Sequence, residues 1–258
     1  IATVYNSGFE HAHDTYNGIS SASDGKIYYV LCSQLMDVAG QMYSFDPTTG
    51  TTEHLGDLTE ICGEKDMKVV AQGKSHVNFV ESGGKLYFAT HLGYYSIING
   101  MEKTGLPTGD YKAYRGGHLL AYDMKTKTFE DLGIGPHNEG IITMNMDVSR
   151  GLIYGFSWPT GYLFRYDVAR KELKDLGPAM GKGEDGMAED FRVVCRSLAI
   201  DPDNGTIYFT NAEGQIKCLK SGQDVVETIE GDDMRKDYFG TYDIFTSGSM
   251  AYNWRQVF

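Results

Sequence analysis

Two histidines, His76 and His91, are the residues of this sequence best suited to acid–base chemistry. They lie at the ends of a predicted hairpin with strands at 76–81 and 85–90, joined by a glycine-containing turn that supplies positive φ. Because antiparallel strands bring those ends together, we expect the two imidazoles to lie side by side, away from the turn. Such a pair can act as a base and a charge-neutralising partner.

Two further residues complete the predicted catalytic set. Tyr95, or Tyr94 before it, can serve as a second proton carrier. Arg196 follows an apolar run, so its side chain is predicted to face a central channel, where a charge needs an anionic partner. That partner is either Glu139 or a bound carboxylate. The alternative is structural: one histidine satisfies backbone groups in the channel wall, and Arg196 forms a salt bridge.

Polar and aromatic residues predicted at the same rim form the candidate substrate-binding set. Trp158 and Tyr162 suit stacking on a sugar ring, although packing between neighbouring sheets explains Trp158 equally well. Arg255 occupies in the last repeat the place that Arg196 has in the repeat before it. The full set is His13, Asn17, Glu139, Trp158, Tyr162 and Arg255.

A divalent metal ion is a possible cofactor. His11 and His13 share one side of a strand, a spacing that can bind a metal, but no third ligand is fixed by the sequence. A bridge to His76 or His118 would complete such a site, and a solvated histidine pair is the alternative. The four cysteines have no CxxC spacing and are predicted to be buried small residues.

An internal repeat determines the predicted fold. A turn followed by an aromatic strand recurs as Gly-Lys-Ile-Tyr, Gly-Lys-Leu-Tyr, Gly-Leu-Ile-Tyr and Gly-Thr-Ile-Tyr at 25, 84, 151 and 205. Each is followed by a strand that opens on glycine, and three of these strands end in a turn-forming aspartate: Asp46, Asp123 and Asp167. Four short strands per repeat indicate an all-β protein, a β-propeller of four-stranded antiparallel blades.

The repeat predicts a single propeller domain over residues 1–258. Its blades are expected at about 11–56, 75–133, 139–177 and 192–230, with the start of the next at 249–258. About four and a half blades are therefore visible, and we interpret the chain as a truncated part of a propeller of about seven blades. Insertions fall at 57–72 and 93–116, and the acidic segment 182–190 is predicted to be an exposed loop.

Composition excludes some classes of function. With 258 residues and a net charge of −12, the chain is unlike a general nucleic-acid or anionic-membrane binder. No apolar run is long enough for a membrane span. A negatively charged substrate stays compatible with this charge, because a few cations in one pocket can reverse the local field. The expected partner is an oligosaccharide or polysaccharide.

The histidine on a first strand and the histidine after the second strand of the same blade resemble the β-propeller polysaccharide lyases. These are the oligogalacturonate, ulvan and rhamnose–glucuronate lyase families. The resemblance implies β-elimination on a uronic acid, with His76 or His91 near the abstracted proton. It also implies a tyrosine as acid or base and Arg196 as the group that neutralises the substrate carboxylate.

Two other functions stay open from the sequence. A propeller glycosidase that removes rhamnose from a glucuronate can use the same pocket with one histidine. A non-catalytic propeller can use the rim histidines and aromatic residues only to bind a sugar or a protein. A fold alone does not decide among them. For the two carbohydrate-active enzymes we expect a secreted or periplasmic location.

Overall fold

The computed structural model describes residues 3–235 and 240–257 and shows an all-β fold. Four four-stranded antiparallel sheets follow one another along the chain, each with the connectivity of a β-propeller blade. The predicted fold class is thereby confirmed. In the described part of the chain, no helix is long and apolar enough to cross a membrane.

The first two sheets match the first two repeats. The first sheet contains β1 (Ile19–Ser21), β2 (Ile27–Leu31), β3 (Gln41–Asp46) and β4 (Thr51–Asp57), and the helix α1 (Leu58–Ile61) follows it. The second contains β5 (Val80–Ser82), β6 (Lys85–Ala89), β9 (His118–Asp123) and β10 (Thr128–Ile134). Between β6 and β9 a two-stranded hairpin is inserted, formed by β7 (Tyr95–Ile98) and β8 (Met101–Thr104).

The other two sheets follow the later repeats. The third contains β11 (Gly140–Asp147), β12 (Leu152–Trp158), β13 (Tyr162–Asp167) and β14 (Glu172–Pro178). The fourth contains β15 (Ala199–Ile200), β16 (Ile207–Thr210), β17 (Gln215–Leu219) and β18 (Glu227–Asp233). Short 3₁₀ helices lie at Pro136–Asn138, Gly183–Asp185 and Ala188–Asp190.

Packing divides the chain into two compact units. The first unit comprises the residues up to Ser96 together with Thr104–Ile134, and it holds the first two sheets. The second comprises Ile97–Lys103 and the residues from Gly135 onward, and it holds the third and fourth sheets. The single-domain organisation expected from the repeat stays a prediction.

The second strands of the second and third sheets are apolar and almost fully buried. Four of the five residues of β6 are buried, and so are six of the seven of β12. The outer strand β4 contains no buried residue, in keeping with its polar sequence. All four cysteines are buried and free, which agrees with their predicted role as small core residues.

The turns behave as the sequence predicts. Gly83 and Gly84, between β5 and β6, both have positive φ, at 59° and 77°. The turn aspartates accept backbone N–H groups: Asp46 from Thr48 at 2.8 Å and Asp123 from Lys125 at 2.9 Å. Such bonds stabilise the turn locally.

One strand prediction is wrong. The ladder of the histidine hairpin begins at Val80 rather than His76, because the preceding backbone bonds elsewhere: the Phe79 N–H donates to the Ser20 hydroxyl at 3.1 Å. Residues 249–257 form turns and irregular structure, and the start of a further blade at 249–258 stays a prediction. Phe258 and Ile1 of the predicted ends lie outside the described residues.

Three segments of the first unit meet through backbone contacts that only glycine permits. The Ser33 N–H donates to the Gly73 carbonyl at 2.9 Å. A Cβ added to Gly93 would lie 1.9 Å from the Ser33 oxygen, and one added to Gly73 would lie 2.7 Å from the Gly93 Cα. The chain before β5 is thus held against the chain after β6.

We predict that Gly93→Ala destabilises the first unit by about 3 kcal/mol or more, because the obstacle is backbone that has no room to move. Gly84→Ala is the matched control, because its Cβ meets open space. The only cost of this substitution is that of alanine at positive φ, about 1–2 kcal/mol. Urea unfolding of both variants measures the difference. Equal destabilisation by the two substitutions contradicts the predicted close approach.

Candidate functional site

A two-way backbone bridge brings the candidate site together in the first unit. The Lys74 N–H donates to the His91 carbonyl at 2.8 Å, and the His91 N–H donates to the Lys74 carbonyl at 2.8 Å. His76 follows two residues after Lys74, and in extended backbone residues two apart share a face. The imidazole rings of His76 and His91 lie 4.7 Å apart, with an interplanar angle of 61°.

Tyr95 and the backbone fix the orientation of His91. The Nδ1 atom of His91 lies 2.7 Å from the Leu92 carbonyl oxygen, which can only accept, so we assign the hydrogen to Nδ1. In the neutral imidazole the lone pair then lies on Nε2. The Tyr95 hydroxyl donates to the same carbonyl at 3.1 Å and lies 3.4 Å from the His91 Nδ1.

A buried lysine lies beside the imidazoles. The side chain of Lys74 is 1% exposed, and its Nζ lies 4.5 Å from the ring centre of Tyr16 and 4.9 Å from that of Tyr95. An ammonium near an aromatic face is attracted by the ring quadrupole, more strongly where water is excluded. The Tyr16 hydroxyl lies 3.3 Å from Nζ, and a carboxylate oxygen of Asp14 lies 4.0 Å from it.

The site has an exposed side and a buried side. His91 is fully buried, whereas His76 is partly exposed and Tyr16 is 48% exposed. The Tyr16 and His76 rings lie 4.3 Å apart, tilted by 32°. A ligand from solvent therefore meets Tyr16 and His76 before it reaches His91.

The sequence predicted His76, His91 and Tyr95 but not Lys74 or Tyr16. The spacing of Lys74 and His76 was a usable signal, because it places a lysine and a histidine on one face of an extended segment. Tyr16 lies outside every strand of the structure, so periodicity gave no means of placing it.

Cys32 is a buried cysteine next to the candidate site. It forms an isolated antiparallel bridge with Asp14. Burial, with a smaller contribution from Asp14, raises the pKa of the Cys32 thiol to about 12. A thiol reacts as the thiolate, so Cys32 stays protonated and inert at neutral pH.

Gln72 fastens the two histidine-bearing segments from behind. Its amide nitrogen donates to Glu64 and to the Gly116 carbonyl, both at 2.9 Å. Its amide oxygen accepts from Thr90 at 2.7 Å and from Tyr114 at 2.6 Å. A buried polar network that is fully satisfied holds its members in one arrangement. Since Gln72 precedes Lys74 by two residues and Thr90 precedes His91, this network fixes the position of both.

His118 carries the charge of that network. Its Nδ1 lies 2.9 Å from Asp131 and its Nε2 3.2 Å from Glu64, while its side chain is 3% exposed. Burial alone would lower the pKa of His118, but hydrogen bonds with Asp131, Cys62 and Glu64 raise it to about 11. His118 is therefore an imidazolium at neutral pH and cannot act as a base.

The predicted metal ligands do not form a cluster. His11 and His13 are both exposed, and the His13 Nδ1 is hydrogen-bonded to Asp14. Among the described residues there is no group of three or more His, Cys, Asp or Glu side chains placed to hold a metal ion. Asn17, also predicted at the rim, is partly buried, and its carbonyl accepts the Ile19 N–H at 2.7 Å.

Arg196 lies in the second unit and is paired there with Glu184. The two side chains approach to 2.7 Å, and the guanidinium also donates to the Val194 carbonyl at 2.7 Å. The predicted partner Glu139 is wrong: it accepts from Ser157 at 2.5 Å instead. Glu184 was hidden from the sequence because it belongs to the acidic segment predicted to be an exposed loop.

Trp158 and Tyr162 differ in exposure. Trp158 is 2% exposed and its indole N–H donates to Glu184 at 2.8 Å, so the prediction of an exposed stacking surface is wrong for it. Tyr162 is partly exposed and stacks on His137 at 3.7 Å between ring centres. Arg255 is exposed, which differs from the channel-facing position that was expected.

No protein-family model matches the chain, and no curated protein matches it in sequence. Among solved structures, the nidogen/laminin complex superposes with a TM-score of 0.50 at 11% identity, over 83% of this chain and 64% of that one. The chain thus spans less than two thirds of that structure. At such identity the similarity concerns the fold alone, and it agrees with the propeller architecture.

Two bacterial structures are also similar. One is the extracellular domain of a putative one-component system from B. thetaiotaomicron, with a TM-score of 0.48 at 13% identity over 82% of this chain and 22% of that one. The other is an auxiliary nutrient binding protein from Bacteroides thetaiotaomicron, with a TM-score of 0.48 at 12% identity over 87% and 44%.

The raised pKa of His118 predicts a pH-dependent stability. The ordinary pKa of an unfolded histidine is about 6.5, so this contribution is complete below that pH and is lost as pH rises through the folded value. Between about pH 7 and pH 9, His118 should lower the free energy of unfolding by up to about 1.4 kcal/mol per pH unit.

Urea unfolding across that range measures this slope. His118→Gln should be less stable at about pH 7 and should flatten the slope, because the substituted amide does not titrate. His54→Gln is the control, since His54 is exposed on β4. If the slope is the same in His118→Gln as in the wild type, His118 does not cause the pH dependence of the free energy of unfolding.

Proposed function

We propose that this chain is a carbohydrate-active propeller that cleaves uronic-acid-containing oligo- or polysaccharide by β-elimination. The observation that supports this most directly is the contact of two imidazoles, His76 and His91, beside the Tyr95 hydroxyl. Three groups able to carry protons thus meet at a partly exposed position. Their types agree with the lyase families that the sequence resembles.

The reaction proposed needs a base, an acid and a positive charge. The base removes the proton at C5 of the uronate, and the electron pair of the broken C5–H bond forms the C4=C5 double bond. The bond from C4 to the glycosidic oxygen breaks, and the acid returns a proton to that oxygen. No water, oxidant or reductant is consumed. Removal of the C5 proton is feasible where the adjacent carboxylate is neutralised.

We assign the role of base to His76, because it is the partly exposed imidazole of the pair. Its Nε2 atom is buried, so Nδ1 is the nitrogen proposed to take the substrate proton. His91 is fully buried and supports His76 from behind as an oriented neighbour. Tyr95 is the proposed acid for the leaving oxygen, with Tyr16 on the exposed side as the other tyrosine of the site. A polymeric uronate is a substrate met outside the cytoplasm, so we propose a secreted or periplasmic location.

The test follows the ultraviolet absorbance of the unsaturated uronate that β-elimination produces. The substrates are a panel of galacturonate- and glucuronate-containing oligosaccharides. His76→Ala and Tyr95→Phe should each lower the rate by about 10²–10⁴-fold, the usual contribution of a general acid or base. His54→Ala on β4 is the matched control and should keep the wild-type rate.

The other outcomes each contradict the proposal in a recognisable way. Reducing sugar released without new absorbance indicates a glycosidase. Binding of the oligosaccharides without either product indicates a sugar-binding protein. If His76→Ala produces the unsaturated uronate at the wild-type rate, the protein is a lyase but its active site does not include His76.

A further inference from the structure

We infer that Lys74 is the residue that neutralises the substrate carboxylate, the role that the sequence assigned to Arg196. This inference rests on the proposed function, since it names the charge that the elimination needs. It adds a catalytic residue that neither the histidine spacing nor the resemblance indicated.

Position is the first argument for Lys74. Its backbone is bonded in both directions to that of His91, and His76 follows two residues later. Its ammonium lies 4.5 Å from the ring centre of Tyr16 and 4.9 Å from that of Tyr95. A carboxylate whose adjacent carbon faces His76 is therefore brought to the same group of side chains as this cation.

Environment is the second argument. The Lys74 side chain is 1% exposed, and a charge in a water-poor surrounding acts on a neighbouring charge more strongly than one in solvent. A carboxylate oxygen of Asp14 lies 4.0 Å from Nζ, and Asp14 is also hydrogen-bonded to His13.

Access to the ammonium is from the Tyr16 side. Tyr16 is 48% exposed, and its hydroxyl lies 3.3 Å from Nζ. A carboxylate that takes up this position replaces the hydroxyl as the acceptor for Lys74. The displaced hydroxyl can then donate to the carboxylate, so both groups stabilise the charge that develops when the C5 proton leaves.

Arg196 is less suited to this role within its own unit. Its guanidinium is engaged by the Glu184 carboxylate and by the Val194 carbonyl, both at 2.7 Å. A bound carboxylate would have to compete with an existing one for the same donors.

The closing experiment compares free uronates with their methyl esters, because an ester carries no charge to neutralise. On the free acids, Lys74→Met should lower the elimination rate by about 10²–10³-fold, the usual loss when one charge-stabilising donor is removed. On the methyl esters, the same variant should stay within about tenfold of wild type. Lys74→Arg should recover part of the rate on the acids.

Lys125→Met is the matched control, since Lys125 is exposed on the turn at the other end of the same sheet. Thermal unfolding of each variant shows whether it is folded. An equal loss on acids and esters, or no loss on the acids, overturns the role of Lys74 and leaves the proposed lyase intact.

A binding measurement separates this inference from the proposed function. Calorimetric titration of His76→Ala, with and without Lys74→Met, uses the same free uronates and needs no turnover. We expect Lys74→Met to weaken binding of the acids by at least about tenfold and that of the esters by less. If wild type shows no elimination but binding depends on Lys74, the lyase proposal fails and the carboxylate site stands. Absence of binding to every uronate overturns both.

Discussion

The two-way backbone bridge between Lys74 and His91 is the constraint on which the candidate site depends. Two hydrogen bonds of 2.8 Å join the segment before β5 to the segment after β6, and every side chain of the site belongs to those segments or packs on them. The approach is possible because glycine stands at 73 and 93, where a Cβ would meet backbone atoms. Local backbone sterics therefore determine which side chains can meet.

Next to the backbone bridge lies a buried network of hydrogen-bonded polar side chains. Gln72 uses all four of its amide hydrogen-bonding positions, and His118 is held as an imidazolium between Asp131 and Glu64. An incompletely satisfied network of this kind would be costly, whereas a satisfied one specifies a single arrangement. This network therefore fixes the positions of the segments that carry His76 and His91.

The sequence predicted the sheets and the meeting of His76 with His91, because both follow from short-range patterns: strand alternation, turn glycines and antiparallel pairing. It did not predict Tyr16 over Lys74 or Glu184 beside Arg196. All four residues lie outside the strands, where no periodicity exists to be read, and Tyr16 and Lys74 are also far apart in sequence. For Trp158 the sequence left exposure and burial open, since a residue at a strand end has no face assigned by alternation alone.

The most direct test of the central claim is the ¹⁵N spectrum of the seven histidine side chains, recorded with and without a galacturonate or glucuronate oligosaccharide. In the proposed function, the bound oligosaccharide lies beside the imidazoles of His76 and His91. We therefore predict that the ring nitrogens of His76 and His91 shift on addition of the acid, while those of His54 and His137 stay in place. Shifts confined to other histidines, or none at saturating ligand, contradict the central claim.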